Sequence, residues 1–153
     1  MTQAICVTEQ KFTSLIATNK SYMAYMPAVL LTAGIAVLSL WENPQVPPTV
    51  QMSDKLAHGL MYTALAVAWM IPIAIRQATN RKSLIVYALY VCFAVTAYGA
   101  LMEILQRFCT LTRSGEMADL YADFIGAAVG VTAVVLVQQL KAYKTNNSSK
   151  QSD

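Results

Sequence analysis

Charged residues are scarce in this chain of 153 residues. They make up 12% of the sequence against 56% hydrophobic residues, and the chain has one histidine and three cysteines. A soluble domain of this length does not need so apolar a composition. The ionisable residues lie at the ends of apolar stretches and are missing from their middles. The scarcity therefore indicates a membrane protein, and charge so close to hydrocarbon marks the place to look for its function.

Four apolar stretches are each long enough to cross a membrane. They cover residues 22–41, 56–75, 83–105 and 120–140. Each reaches the roughly 20 residues that a hydrocarbon core of about 30 Å requires. Pro27 and Pro72 show that two of the stretches tolerate a local break. We predict an all-α integral membrane bundle of four transmembrane helices, formed by residues 22–140.

The segments on either side of this domain are predicted to be peripheral. Residues 1–21 lack the order of a cleavable signal peptide, so we expect a cytoplasmic or interfacial segment there. Residues 141–153 are rich in Lys, Asn and Ser and have little to bury, which predicts a disordered tail. Of the cysteines, Cys6, Cys92 and Cys109, no two share an oxidising compartment. No intramolecular disulfide is expected, although Cys109 could pair between molecules.

The basic residues are unevenly divided between the two sides of a four-span bundle. Eight fall on the side shared by both termini: Lys11, Lys20, Arg76, Arg81, Lys82, Lys141, Lys144 and Lys150. Three fall on the other side: Lys55, Arg107 and Arg113. Because basic residues are retained in the cytoplasm, both termini are predicted to be cytoplasmic.

The opposite, outer side collects acidic residues. These are Glu42, Asp54, Glu103, Glu116, Asp119 and Asp123. With only three bases beside them, this side is formally negative although the whole chain carries +3. The basic isoelectric point therefore reflects the other side, and no nucleic-acid partner is expected.

Polar residues at three predicted helix ends repeat with helical spacing. The groups are Asp54, His58 and Tyr62, then Glu103, Gln106 and Arg107, and then Asp119 and Asp123. If neighbouring helices run antiparallel, His58, Glu103 and Asp123 lie at similar depth, within roughly one turn of the outer boundary. Two of these helices begin there, and helix N-termini favour anions. A phosphate or carboxylate head group could be held near Lys55, Arg107 and Arg113.

Ordinary structural roles remain open for several of these residues. Asp54 and Asp119 are typical of a helix first turn, where they would cap amides. Glu103 and Asp123 lie in apolar runs and must pair, take up a proton or face water, and a purely structural pairing with Arg107, Arg113 or His58 would satisfy them. One histidine without a second soft ligand or an established spacing does not indicate a metal, so we expect no metal and no cofactor.

The order of these motifs resembles the VanZ-like family of small bacterial membrane proteins. The resemblance lies in Asp54-Lys55-x-x-His58-x-x-x-Tyr62, Glu103-x-x-Gln106, Arg113 and Asp119-x-x-x-Asp123-x-x-Gly126-Ala127-x-x-Gly130, with a similar exit from the first span at Ser39-Leu40 to Pro44. It covers about residues 31–130. The family usually has Asn where this chain has Asp123, which adds a negative charge.

The resemblance implies a multi-pass protein of the bacterial cytoplasmic membrane. The family is named for a protein associated with resistance to teicoplanin, a glycopeptide that carries a lipid chain and binds cell-wall precursors outside the membrane. An outward polar site at lipid depth is in the right place for such a ligand.

Three functional hypotheses follow. The first is a non-enzymatic protein that binds membrane lipids, a lipid-linked cell-wall precursor or a lipoglycopeptide, with Lys55, Arg107 and Arg113 meeting the anionic head group. The second is an enzyme on the same substrate class, with Glu103 or His58 as general base. The third, a proton-coupled transporter, is weakened because the middles of the spans lack ionisable residues.

Overall fold

The computed structural model describes residues 22–41, 51–77, 80–109 and 117–150, with side chains for all of these except 51–54 and 149–150. This part of the chain is all-helical. Four helices follow one another: α1 (Met26–Leu40), α2 (Gln51–Arg76), α3 (Arg81–Cys109) and α4 (Met117–Lys150). Three of them contain stretches long and apolar enough to cross a membrane, Lys55–Arg76, Arg81–Cys109 and Met117–Ser148. The predicted helical class is confirmed, and three of the four predicted spans form helices of the length and composition that a span requires.

The first helix is shorter than the sequence predicted. A turn closed by the hydrogen bond from the Tyr25 amide to the Tyr22 carbonyl precedes it, and Pro27 lies in its first turn. Proline has no amide hydrogen and disfavours helical backbone in the residue before it, so a helix begins readily at Pro27 and continues poorly through it. The 15 residues of α1 make a helix of about 22 Å.

The closest helix pair is α2 with α4. A methyl group added to Gly126 would collide with the carbonyl oxygen of Gly59, and one added to Gly130 would lie 2.7 Å from the carbonyl oxygen of Thr63. The Thr63 hydroxyl donates to the Gly126 carbonyl oxygen at 3.0 Å. The Gly126-x-x-x-Gly130 pattern therefore serves close helix packing.

The core lies between α2, α3 and α4. Its fully buried side chains include Tyr62, Leu65 and Met70 of α2. Large apolar side chains also cover the outside of the bundle, among them Leu60, Leu89, Phe93, Phe124 and Ile125. Exposed apolar surface of this extent is typical of helices that face lipid.

The last helix extends beyond its predicted end. The sequence predicted a span ending at residue 140 and a disordered tail from Lys141, whereas α4 continues to Lys150. The prediction of a disordered tail is corrected for residues 141–150, whose backbone is helical. Lys, Ala and Gln near residue 140 are good helix formers, so a helix already formed by the span propagates through them without burying side chains. The predicted peripheral segment at residues 1–21 lies outside the described residues.

Candidate functional site

Three ionisable side chains meet at the end of the bundle where α2 and α4 begin and α3 ends. His58 of α2, Glu103 of α3 and Asp123 of α4 are all buried, and each offers a ligand atom within 4.8 Å of the others. We call these three residues the acid–His cluster, and this end of the bundle the cluster end. The sequence predicted that the three would lie at one depth, and the structure confirms that they converge.

A hydrogen bond joins two members of the acid–His cluster. Nδ1 of His58 lies 3.1 Å from Oδ1 of Asp123, and the two side chains are almost completely buried. Asp123 is 0% exposed. A carboxylate in this position fixes the orientation of the imidazole ring. The pair joins two helices whose backbones touch at Gly59 and Gly126.

Neighbouring residues shape the space around the cluster. Gly99 of α3 has no side chain, and a methyl group there would lie 2.5 Å from Oδ2 of Asp123. The ring of Tyr62 lies nearly parallel to that of His58, with centroids 6.4 Å apart. The sequence placed Tyr62 on the same helix face as His58, which the structure confirms. Gly99 was not predicted, because its role depends on which part of α3 faces Asp123.

Lys55 and Asp119 form a second polar contact at the cluster end. Nζ of Lys55 is 3.8 Å from Oδ1 of Asp119, with the lysine side chain 39% and the aspartate side chain 12% exposed. Asp119 lies one helical turn before Asp123, so this ion pair is closer to the helix ends than the acid–His cluster. Asp119 was predicted either as a cap or as a site residue, and its side chain contacts a base of α2.

Gln106 joins the cluster end to the first helix. It is buried, and its Nε2 donates to the backbone carbonyl oxygen of Ser39 at 3.0 Å. Ser39 is near the end of α1, where the carbonyl groups of a helix lack intrahelical partners. Gln106 therefore has a structural contact with α1 that the sequence did not predict.

Arg107 was one of three partners considered for the buried carboxylates, and it does not join the acid–His cluster, whereas His58 pairs with Asp123. The buried face of α3 at this end runs through Gly99, Met102, Glu103 and Gln106, and Arg107 lies outside it with an exposed side chain. No ion pair of Arg107 occurs within the part of the chain that the structure describes. Arg113 and the side chain of Asp54 lie outside the described residues.

The bundle also contains an apolar cavity that none of the cluster residues lines. It has a volume of about 380 Å³ and lies between α1, α2 and α3. Its lining includes Thr32, Leu65, Trp69, Ala94, Val95 and Tyr98. The ring of Tyr98 lies 6.3 Å from that of Tyr62, so Tyr62 is close both to His58 and to a residue that lines the cavity. The sequence did not predict the cavity, since its lining comes from three separate apolar helices.

Comparisons with known proteins do not identify a relative: no family model, no curated protein and no solved structure matches this chain. The resemblance to the VanZ-like family therefore rests on the motif residues themselves, and a function has to be argued from the site.

Proposed function

We propose that this protein binds a lipid-linked anionic envelope molecule, or a lipidated glycopeptide, at the outer face of the bacterial inner membrane. Binding contributes to teicoplanin tolerance, the association that the resemblance to the VanZ-like family implies, or to envelope homeostasis. The observation that carries the proposal is a buried polar cluster near an apolar cavity: the ring of Tyr62 lies 6.4 Å from that of His58 and 6.3 Å from that of Tyr98, which lines the cavity. An amphiphile needs such a polar site beside an apolar one.

The polar head group is bound at the cluster end in this proposal. Lys55, held beside Asp119, meets an anionic group, together with Arg113. The carboxylates of Glu103 and Asp123 accept hydrogen bonds from sugar hydroxyls or amines. The N-termini of α2 and α4 add their free amides at the same end.

The orientation follows from the eight basic residues on one side against three on the other. We propose that α1 is a fourth span, so that both termini are cytoplasmic and the cluster end is outside. Cys109 is exposed at the end of α3. A membrane-impermeant thiol reagent should label Cys109 on intact spheroplasts, and Cys109→Ser should abolish the label. Labelling of Cys6 alone would reverse the orientation.

Binding of the lipid tail can be tested with a matched pair of variants. Ala94 lines the cavity, whereas Ala97 is an exposed alanine of the same helix outside the lining. Ala94→Phe should weaken the binding of teicoplanin to purified protein in nanodiscs by about 10-fold, because its ring occupies space needed by the tail. Ala97→Phe should leave binding unchanged.

Vancomycin, which has no lipid tail, supplies the ligand control. Its binding should not distinguish Ala94→Phe from the parent. The proposed role of the cavity fails if both alanine variants bind teicoplanin like the parent. If the parent binds neither teicoplanin nor a lipid-linked precursor, the proposed function itself is rejected.

A second candidate function is enzymatic, and the His58–Asp123 hydrogen bond favours it. An imidazole oriented by a carboxylate is the arrangement of a general base. In that case a lipid-linked precursor should be converted by the parent protein, and His58→Gln should abolish turnover while the precursor still binds. If the precursor binds but mass spectrometry detects no product over hours, the non-enzymatic function is retained.

A further inference from the structure

The charge of the acid–His cluster is hard to reconcile with its burial. Two carboxylates and one imidazole lie within 4.8 Å, with Glu103 8% and Asp123 0% exposed. Neighbouring carboxylates repel each other, and the cost of burying them grows as water is removed. A positive charge bound among the carboxylates stabilises such a cluster, and a divalent cation supplies one. An anionic ligand alone would increase the negative charge.

The arrangement of the ligand atoms suits a metal ion. Nδ1 of His58 and Oδ1 of Asp123 are 3.1 Å apart. Two ligands of one tetrahedral zinc ion, each about 2.0–2.1 Å from the metal, are separated by about 3.3 Å. Glu103 completes a triangle of donors on a third helix. Small side-chain rotations would bring all three to one ion.

One oxygen of the cluster supplies an independent observation. Oδ2 of Asp123 is buried without a hydrogen-bond partner in the part of the chain that the structure describes. An unsatisfied buried acceptor costs roughly 1–3 kcal/mol, and more when it is charged. The missing side chain at Gly99 makes room for this oxygen, since a methyl group there would lie 2.5 Å from it. A metal ion bound between the three helices would offset this cost.

We propose that His58, Glu103 and Asp123 bind a divalent transition-metal ion of the zinc type. An imidazole nitrogen with two carboxylate oxygens suits zinc better than calcium or magnesium, which take oxygen ligands. Three protein ligands leave one coordination position for water or a ligand oxygen. The sequence indicated that these residues lie at one depth, but we expected no metal because one histidine without a second soft ligand matches no established metal spacing.

A bound metal would also explain how an acidic cluster can bind an anionic ligand. The open coordination position would take a phosphate or carboxylate oxygen of the head group, and the ion would balance the charge of both. This part of the inference rests on the proposed function. Metal binding itself requires no organic ligand, so the two can be tested separately.

The first measurement uses chelator-treated protein in nanodiscs. The protein is titrated with Zn²⁺, Mn²⁺ or Mg²⁺, separated from unbound metal, and analysed for metal content by mass spectrometry. We expect about one zinc ion per chain and much weaker binding of magnesium. If the parent protein binds none of the three ions, the inference is wrong.

Conservative variants locate the bound metal. His58→Gln, Glu103→Gln and Asp123→Asn should each weaken zinc binding by about 100-fold or more, since loss of even an outer partner costs 10–100-fold. Asp119→Asn is the matched control, because Asp119 is a carboxylate at the same end that lies outside the cluster. Unchanged zinc binding in all three cluster variants would place the metal elsewhere and overturn the inference.

A spectroscopic measurement on the parent protein does not depend on whether the variants fold. X-ray absorption at the zinc edge should show nitrogen and oxygen ligands, with the scattering pattern of one imidazole. Sulfur ligands would assign the zinc to cysteine and reject the site.

Ligand binding is then compared with and without zinc. If zinc binds as expected but the precursor and teicoplanin do not, the metal site stands and the proposed function fails. If either ligand binds equally well after chelation, the bridging role of the metal is rejected.

Discussion

Ionisable side chains are exposed at one end of the bundle and buried at the other. At the end where α2 finishes and α3 begins, which we call the basic end, Arg76, Arg81 and Lys82 are exposed. Their contacts are of the ordinary surface kind: the Arg76 guanidinium lies 5.4 Å from the centroid of the Tyr25 ring, and Arg81 donates to Gln139 at 3.2 Å. At the cluster end, by contrast, four ionisable side chains are buried: His58, Glu103, Asp119 and Asp123.

We interpret the exposed basic residues as orienting the protein in the membrane and the buried acidic residues as its proposed binding site. Exposed basic residues orient a membrane protein at little energetic cost. Buried acidic residues are expensive and add little stability of their own, so a protein that keeps several together at one depth has another use for them. We therefore expect substitutions at the cluster end to change binding, and substitutions at the other end to change almost nothing.

The largest effect should come from the helix contact that supports the cluster. Gly126→Ala places a methyl group against the Gly59 carbonyl, where backbone and not a flexible side chain is in the way. We expect a loss of about 2–3 kcal/mol in the free energy of unfolding, measured by detergent titration with circular dichroism. Gly34→Ala in α1 is the control, since a methyl group there meets nothing within 4 Å. Equal losses in both variants would mean that the α2–α4 contact is not specific.

Removing charge from the cluster end should change binding next most strongly. Glu103→Gln keeps the size of the side chain and removes its charge, so we expect about 10-fold weaker ligand binding, or 1.4 kcal/mol, and reduced growth of an expressing host in teicoplanin. Arg113→Ala should behave alike. Asp54→Asn should be milder because Asn can also cap a helix.

The matching variant at the opposite end is Arg81→Gln, which also removes one charge. Growth of its host in teicoplanin should equal that of the parent at equal protein level. If Glu103→Gln and Arg81→Gln behave alike, the cluster end has no special role in tolerance. If the parent protein itself gives no tolerance, the association implied by the VanZ-like resemblance does not apply to this chain.

A smaller effect is expected where the cluster end holds α1. Gln106→Leu removes the hydrogen bond to the Ser39 carbonyl oxygen while keeping a side chain of similar size. The expected loss is about 1 kcal/mol of stability, seen as a lower thermal unfolding midpoint in detergent. Unchanged stability would show that water or another donor replaces the amide at Ser39.

The smallest effect belongs to the basic end. Arg81→Gln also removes the exposed hydrogen bond to Gln139, and the thermal midpoint should correspond to a change within about 0.5 kcal/mol. A larger loss would show that the basic end contributes to folding and would weaken the contrast between the two ends.

The long helices and the meeting of His58, Glu103 and Asp123 could be predicted because both depend on position along a helix. A span needs about 20 apolar residues, and residues at equal depth on antiparallel helices come close together. The sequence predicted too long a first helix, because hydropathy does not register that Pro27 determines where a helix begins.

Rotation about the helix axes could not be predicted with the same accuracy. Glu103 and Arg107 are separated by four residues, which suggested a shared face, yet only Glu103 lies on the buried one. The position of Gly99 beside Asp123 and the cavity near Tyr98 depend on the same rotations. These are set by tertiary packing between helices and leave no local signal in an apolar sequence.

The backbone contact between α2 and α4 limits how the helices can adapt to bilayers of different thickness. A helix adapts to a thicker or thinner membrane by tilting, at a modest cost for each ångström of mismatch. Since α2 and α4 touch at Gly59 and Gly126, neither can tilt alone without opening that contact. Changes in lipid chain length should therefore be absorbed by the short α1 and by the projecting end of α4, and the spacing between His58 and Asp123 should stay constant as membrane composition varies.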